Sequence, residues 1–203
     1  QSIYSQVNDN GENILHMSII TQSENILKFI FNLKPAKGIK MNHFTQKTFD
    51  KGYLPLHLMI LNYKNFSKTI KSLEYVKKIT DNSNIFEQDF FGNNVLHLSI
   101  AENNLDLFNL FLNKILSTEN IGDFFNFTNL EGFTPLHLLL DSSSTSTKNH
   151  PLYLQIIKKL IENTNLNIQN IFGDTIIHTL LKKNNFIEIK DLLQNKEINL
   201  FIE

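Results

Sequence analysis

The sequence predicts an all-α fold of stacked helical repeats, and two observations carry this prediction. A pattern of Gly, three variable residues, Leu or Ile, and His occurs five times. The successive glycines lie 41, 40, 40 and 41 residues apart. A fixed period of roughly 20–50 residues indicates a repeat array, because each unit is too small to bury a core alone and must stack on its neighbours. The five copies are Gly11 to His16, Gly52 to His57, Gly92 to His97, Gly132 to His137 and Gly173 to His178.

Each copy of the pattern predicts two helices. The Gly allows a tight turn, and a Pro after it is accepted at the first helical position, where its missing N–H would have no partner anyway. The helix continues through the His, and a second helix with two apolar pairs one turn apart then returns. First helices are predicted near 13–21, 54–62, 94–102, 134–142 and 175–183. Second helices are predicted near 24–33, 66–79, 105–116, 151–163 and 186–194.

The pattern also resembles a family signature. Gly132-Phe-Thr-Pro-Leu-His137 and Gly52-Tyr-Leu-Pro-Leu-His57 resemble the Gly-x-Thr-Pro-Leu-His motif of ankyrin repeats. The resemblance implies a solenoid of helix-turn-helix units with short extended fingers, in which the motif His joins neighbouring repeats by hydrogen bonds. The repeats would form a single array over 1–203, at about 8–48, 49–88, 89–128, 129–169 and 170–203. The apolar stretch 198–202 resembles the start of a sixth unit, so we expect a segment of a longer protein.

The number of residues that connect the first helix to the second alternates from one unit to the next. From the motif His to the first apolar pair of the second helix, the distance is 10, 18, 10, 19 and 10 residues in the five units. Ordinary ankyrin units are about 33 residues long, so each unit here carries an insertion whose place alternates. The sequence therefore has a double period of about 80 residues.

Composition excludes several classes of function. The formal net charge is −1, and the chain contains no Arg and no Cys. Nucleic-acid binding needs a basic face to neutralise phosphates, so we expect no nucleic-acid partner. The absence of Cys is typical of an intracellular protein, most simply a cytoplasmic one. Since no apolar run approaches the roughly 18 residues of a membrane span, no direct membrane insertion is expected.

No catalytic or cofactor motif is present, so we predict a non-enzymatic protein with no cofactor and no small-molecule substrate. The five motif histidines do not predict a metal site. Stacked helices lie about 8–10 Å apart, whereas a zinc ion needs each ligand nitrogen within about 2 Å. The histidines of consecutive units are therefore too far apart to share an ion.

The predicted function is a protein-interaction scaffold that binds another protein through its concave face and finger tips. Large apolar side chains near the motif glycines are the candidate contacts, because buried aromatic anchors dominate many interfaces. The alternative for each of them is inward packing against the next finger. The candidates are Tyr53, Phe90, Phe91, Phe133, Ile171 and Phe172.

Three narrower functions stay open. The stretch from Asn10 to Ile20, followed by a long finger, resembles the first ankyrin repeats of inhibitor of NF-κB proteins and Rel precursors, which would imply a regulator that masks a transcription factor. Long fingers and an enlarged inter-helix loop are similar to the cytosolic ankyrin domains of vanilloid-type transient receptor potential channels. A structural subunit of a large assembly is the third alternative.

Overall fold

The computed structural model describes residues 6–33, 42–66, 72–119, 123–142 and 151–183. Every regular element in these ranges is a helix, which confirms the predicted all-α class. Contacts along the chain divide it into two compact units, Gln1–Val95 and Leu96–Glu203.

The first unit is built from two helical repeats. Its first helices begin directly after the motif glycines, and its second helices return antiparallel to them. Leu15, Ile19, Leu27 and Ile30 are buried between the helices of the first repeat. The helices of this unit are α1 (Ile14–Ile20), α2 (Glu24–Asn32), α3 (Pro55–Leu61), α4 (Tyr63–Phe66) and α5 (Ser72–Asn82).

The second unit repeats the same arrangement from α6 onward. Its longest described helix, α7, buries Phe108 and Phe111 completely. Burial of this much apolar surface is the main stabilising contribution, at about 25 cal/mol per Å² removed from water. The helices are α6 (Val95–Ala101), α7 (Leu105–Leu116), α8 (Pro135–Asp141), α9 (Tyr153–Asn163) and α10 (Ile176–Lys182).

The Gly-to-His pattern predicted all five first helices to within one residue at each end. Three second helices, near 24–33, 105–116 and 151–163, are also confirmed to within two residues. The second helix predicted at 66–79 is confirmed from Ser72 onward but was ended too early, because α5 continues to Asn82. Its predicted start falls at the end of α4 and next to residues 67–71, which lie outside the described residues. The predicted helix at 186–194 and the apolar stretch 198–202 lie outside the described residues.

The inserted segments contribute to the core. Two short 3₁₀ helices, Asn42–Phe44 and Phe124–Asn126, precede the second and fourth motif glycines. Phe44, Phe124 and Phe125 are buried, so the extra length between repeats carries its own apolar anchors.

Candidate protein-interaction surface

The turn that leads to each motif glycine, here called the finger, is held by one polar side chain. In the fourth repeat, Asn129 Oδ1 accepts the backbone N–H groups of Glu131 at 3.1 Å and Phe133 at 3.0 Å. These two bonds close the turn around Gly132, whose φ is +73°. The same double acceptance recurs at Asn8, Asp89 and Asn170, each three residues before its glycine.

We expect Asn129→Ala to lower the free energy of unfolding by about 1–2 kcal/mol, because two backbone donors lose their acceptor. Urea denaturation followed by circular dichroism measures this. Asn167→Ala in the same unit is the matched control, since its exposed side chain lies outside the finger turns. An equal loss in both variants would contradict the role of Asn129 in the turn.

The motif histidines join fingers to helices. His16 Nε2 lies 3.0 Å from the carbonyl oxygen of Tyr53, and His97 Nε2 lies 2.9 Å from that of Phe133. Since a carbonyl only accepts, Nε2 carries the proton in both. Nδ1 of His16 then accepts the backbone N–H of Asn13 at the start of its own helix. One neutral imidazole thus links the start of its helix to the finger of the next repeat.

The histidines of the second and fourth repeats depart from this arrangement. Nδ1 of His57 and of His137 accepts the N–H at the start of its own helix. Both Nε2 atoms are buried and lack strict hydrogen-bond geometry to any described atom. Burial lowers the pKa of both imidazoles, and the backbone of Glu87 near His57 and of Asp174 near His137 opposes this. The aromatic rings of Tyr53 and Phe133 lie edge-on to these imidazoles, at 6.3 Å and 6.1 Å between ring centres.

Successive fingers are also joined by their backbones. The N–H of Phe49 donates to the carbonyl of Asn10 at 2.8 Å, and that of Phe90 to Lys51 at 2.9 Å. In the second unit, the N–H of Ile171 donates to Glu131 at 3.1 Å. Each finger thus sets the position of the next one within its unit.

A large apolar side chain lies two residues before the motif glycine in the third to fifth repeats and three residues before it in the second. Phe49 is equivalent to Phe90 and Ile171 because the N–H of each donates to the preceding finger. Phe49, Phe90, Leu130 and Ile171 are 62%, 54%, 72% and 62% exposed. Folded proteins expose single apolar side chains commonly, but recurrence at one repeat position is a pattern. We call these four residues the apolar finger row. The sequence analysis missed Phe49 and Leu130, although Leu130 stands two residues before its glycine, as Phe90 does.

In the first unit, the predicted candidates differ in accessibility. Phe91 is 46% exposed. Phe90 packs on the preceding finger turn, because a Cβ built on Gly52 would lie only 2.5 Å from its ring. Tyr53 is half-buried, with Lys51 Nζ 5.8 Å from its ring centre. Burial raises the pKa of Tyr53, with a smaller contribution from the carboxylates of Asp89 and Asp50.

In the second unit, Phe172 is the most accessible candidate, at 71% exposed. Its ring centre is 6.4 Å from that of Phe133, so the two aromatics form one pair. Phe133 itself is half-buried against His137. Ile171, next to Phe172, completes a small apolar cluster on this finger.

Comparison with known proteins agrees with this architecture. The chain is 25% identical, over 96% of its length, to a protein of Acanthamoeba polyphaga mimivirus named as ankyrin repeat protein L371. The repeats resemble those of ankyrin repeat proteins in motif, helical arrangement and sequence. The ankyrin array is also 28% identical, over 68% of the chain, to the nuclear factor NF-kappa-B p105 subunit of Gallus gallus. The chain spans 29% and 13% of the lengths of these two relatives. No protein-family model matches the sequence.

Ankyrin repeats are protein-interaction modules, and proteins of this family are generally not enzymes. Among the described residues, no three His, Asp or Glu side chains are grouped so that they could hold a metal ion. No helix in the described part of the chain is long and apolar enough to cross a membrane.

Proposed function

We propose that this ankyrin array is a non-enzymatic scaffold that binds another protein through its finger tips and the adjoining concave face. The observation that carries the proposal is the apolar finger row, with Phe91 and Phe172 beside it. Burying such side chains against a partner contributes about 1.5–3 kcal/mol each.

The fingers are suited to this role because they are rigid. The Asx turns, the backbone bonds between fingers and the histidine links hold each tip without help from a partner. A surface that is ordered before binding loses little conformational entropy on association. The partner surface that fits combines apolar contacts with polar groups, since the charged side chains of Asp50, Lys51 and Glu131 are exposed beside the apolar ones.

The test is affinity capture from the source cell, with the captured proteins identified by mass spectrometry. The chain is compared with the double variant Ile171→Ala and Phe172→Ala, which removes the cluster on the last described finger. We expect this variant to lose a specific partner by tenfold or more, because two central anchors of about 1 kcal/mol or more each are gone. Phe91→Ala tests the first unit in the same way.

Two control variants replace exposed apolar residues that lie outside the fingers. Leu154 on α9 and Leu73 on α5 are also exposed apolar residues, at 53% and 41%, but lie on second helices. Leu154→Ala and Leu73→Ala should leave capture unchanged. Circular dichroism should show every variant to be as helical as the parent chain. If the second-helix variants lose the partner and the finger variants keep it, the proposed surface is wrong.

A second candidate function is masking of a transcription factor of the Rel type. The similarity to the p105 subunit favours it, together with the resemblance of the first repeat to inhibitor of NF-κB proteins. Binding of the purified chain to a purified NF-κB dimer, measured by calorimetry, tests this directly. Absence of heat at micromolar concentrations would remove this candidate and leave the scaffold proposal intact.

The channel domain and the structural subunit remain predictions without a further observation in their favour. A cytoplasmic location is part of the proposal and follows from the lack of Cys. Fluorescence microscopy of the tagged protein in its source cell tests it.

A further inference from the structure

The first repeat exposes apolar side chains on the side that faces away from the second repeat. Met17 on α1 is 39% exposed, and Ile26 and Phe29 on α2 are 39% and 58% exposed. A terminal repeat normally presents a polar outer face to water. These three residues form what we call the open face.

In the later repeats, most residues at the positions equivalent to Met17 and Ile26 are buried. Six residues after the motif glycine, where repeat one has Met17, the residues Leu58, Leu98 and Thr179 are buried and Leu138 is half-buried. At the position of Ile26, the second helices carry Tyr75, Leu107 and Ile156, which are also buried.

The contacts of these positions point back to the preceding repeat. Tyr75 stacks on Phe31 of α2, with 5.8 Å between ring centres, and its hydroxyl donates to Glu24 at 3.0 Å. The position of Phe29 corresponds to Lys78, whose Nζ lies 5.4 Å from the Phe31 ring centre.

The second unit repeats this backward contact. There the position of Phe29 corresponds to Lys159 on α9, and Lys159 Nζ donates to Asn113 Oδ1 on α7 at 2.8 Å. In both units, this position touches the second helix of the repeat before it. By repeat position, the open face is thus the surface on which a preceding helix pair would stack.

We propose that the open face is covered by a further ankyrin-type helix pair of the same polypeptide, stacked on repeat one as repeat one stacks on repeat two. The side chains argue for such an occupant, since Met, Ile and Phe gain from burial where a polar cap would not. A tethered repeat acts at an effective concentration in the millimolar range. Three side chains form too small a patch for a separate partner, because stable complexes bury about 1,000 Å² or more. The mimivirus relative has most of its length outside the matched region.

The absence of Cys makes a direct test possible. Ile26→Cys places one thiol on the open face, and its rate of alkylation is read from the mass of the peptide that contains it. The rate is measured in residues 1–203 and in the purified polypeptide as its source cell produces it, both at low concentration. We expect alkylation to be about tenfold slower in the natural polypeptide, because a covered thiol reacts only after local opening.

Leu154→Cys on α9 is the matched control, since it is exposed and away from the open face. It should react at the same rate in both proteins. Equal rates at Ile26→Cys would overturn the proposal. Protection that appears in residues 1–203 alone and grows with its concentration would also overturn it, and would make a second copy the occupant. No finger partner is present in this assay, so its result is independent of the proposed function.

Discussion

Gly132→Ala is expected to lower the free energy of unfolding by about 2–5 kcal/mol. The backbone at Gly132 has φ +73°, a left-handed conformation that costs other residues about 1–2 kcal/mol. A Cβ there would also lie 2.8 Å from the Cα of Asn170, in the backbone of the next finger. Overpacking of this kind costs about 1–3 kcal/mol. The backbone of Asn170 is fixed by its own turn, so it has little freedom to move away.

Gly173→Ala separates the two contributions. Its φ is +75°, but nothing lies within 4 Å of a Cβ built there. Only the conformational cost applies, so we expect this variant to lose about 1–2 kcal/mol. Urea denaturation of both variants measures the difference. Equal losses would show that the close approach of neighbouring fingers contributes nothing to stability.

Gly52→Ala is expected to lower the free energy of unfolding by an amount between those of Gly173→Ala and Gly132→Ala. The atoms that a Cβ would meet belong to the ring of Phe90, a half-exposed side chain that can rotate. The stacking of an aromatic ring on a glycine could not be read from the sequence, because it depends on the distance between fingers 38 residues apart. The Gly itself was predictable, since only Gly adopts this turn without strain.

Local signals predicted the first helices well because each is framed by a turn residue on one side and a buried apolar run on the other. The second helix of repeat two was predicted to end at residue 79, whereas α5 continues to Asn82. The apolar spacing is weak there, since Ile79 is followed by Thr80, so the pattern carries no signal for the last residues of the helix.

The finger geometry was only partly visible in the sequence. The Asn or Asp three residues before four of the glycines is a recurring signal, and it could have predicted the turns. The bonds of the motif histidines could not be predicted, since they depend on whether Nε2 reaches a carbonyl of the next finger. His43 is also buried, with its ring centre 4.3 Å from that of the adjacent Phe44, and its burial could not be predicted from the sequence.

Acid is expected to destabilise the protein well above the pH at which carboxylates titrate. Burial lowers the pKa of His57, His97 and His137 to about 4 each. An unfolded chain has histidines of pKa about 6.5, so between these values it binds more protons than the folded chain. Stability is therefore fully present above pH 6.5 and is lost as the pH falls toward 4. From pH 7 to pH 5, each histidine should cost about 2 kcal/mol, and three together about 6 kcal/mol.

Neighbouring groups change the size of these pKa shifts but not their direction. Glu87 and Lys47 lie near His57 with opposite influences, and Asp174 lies near His137 and favours its charged form. For His97, the carbonyl of Phe133 is the opposing influence on its pKa. Protonation at Nδ1 would also break the bond from the N–H that starts each helix at His57 and His137. Burial is the largest influence on the pKa of all three histidines, so the free energy of unfolding still falls as the pH falls.

The measurement is urea denaturation at pH 7.0 and 5.0 for the parent chain and for His97→Gln. The variant should be less stable at pH 7.0. Between pH 7.0 and 5.0, its free energy of unfolding should fall by about 1 kcal/mol per pH unit less than that of the parent, because one titrating group is gone. Asn129→Ala lowers stability without removing such a group, so its slope should match that of the parent. Burial raises the pKa of Asp89, which works against the slope but is unchanged in all three proteins. A parent chain as stable at pH 5.0 as at pH 7.0 would mean that the histidines are accessible to protons in the folded state.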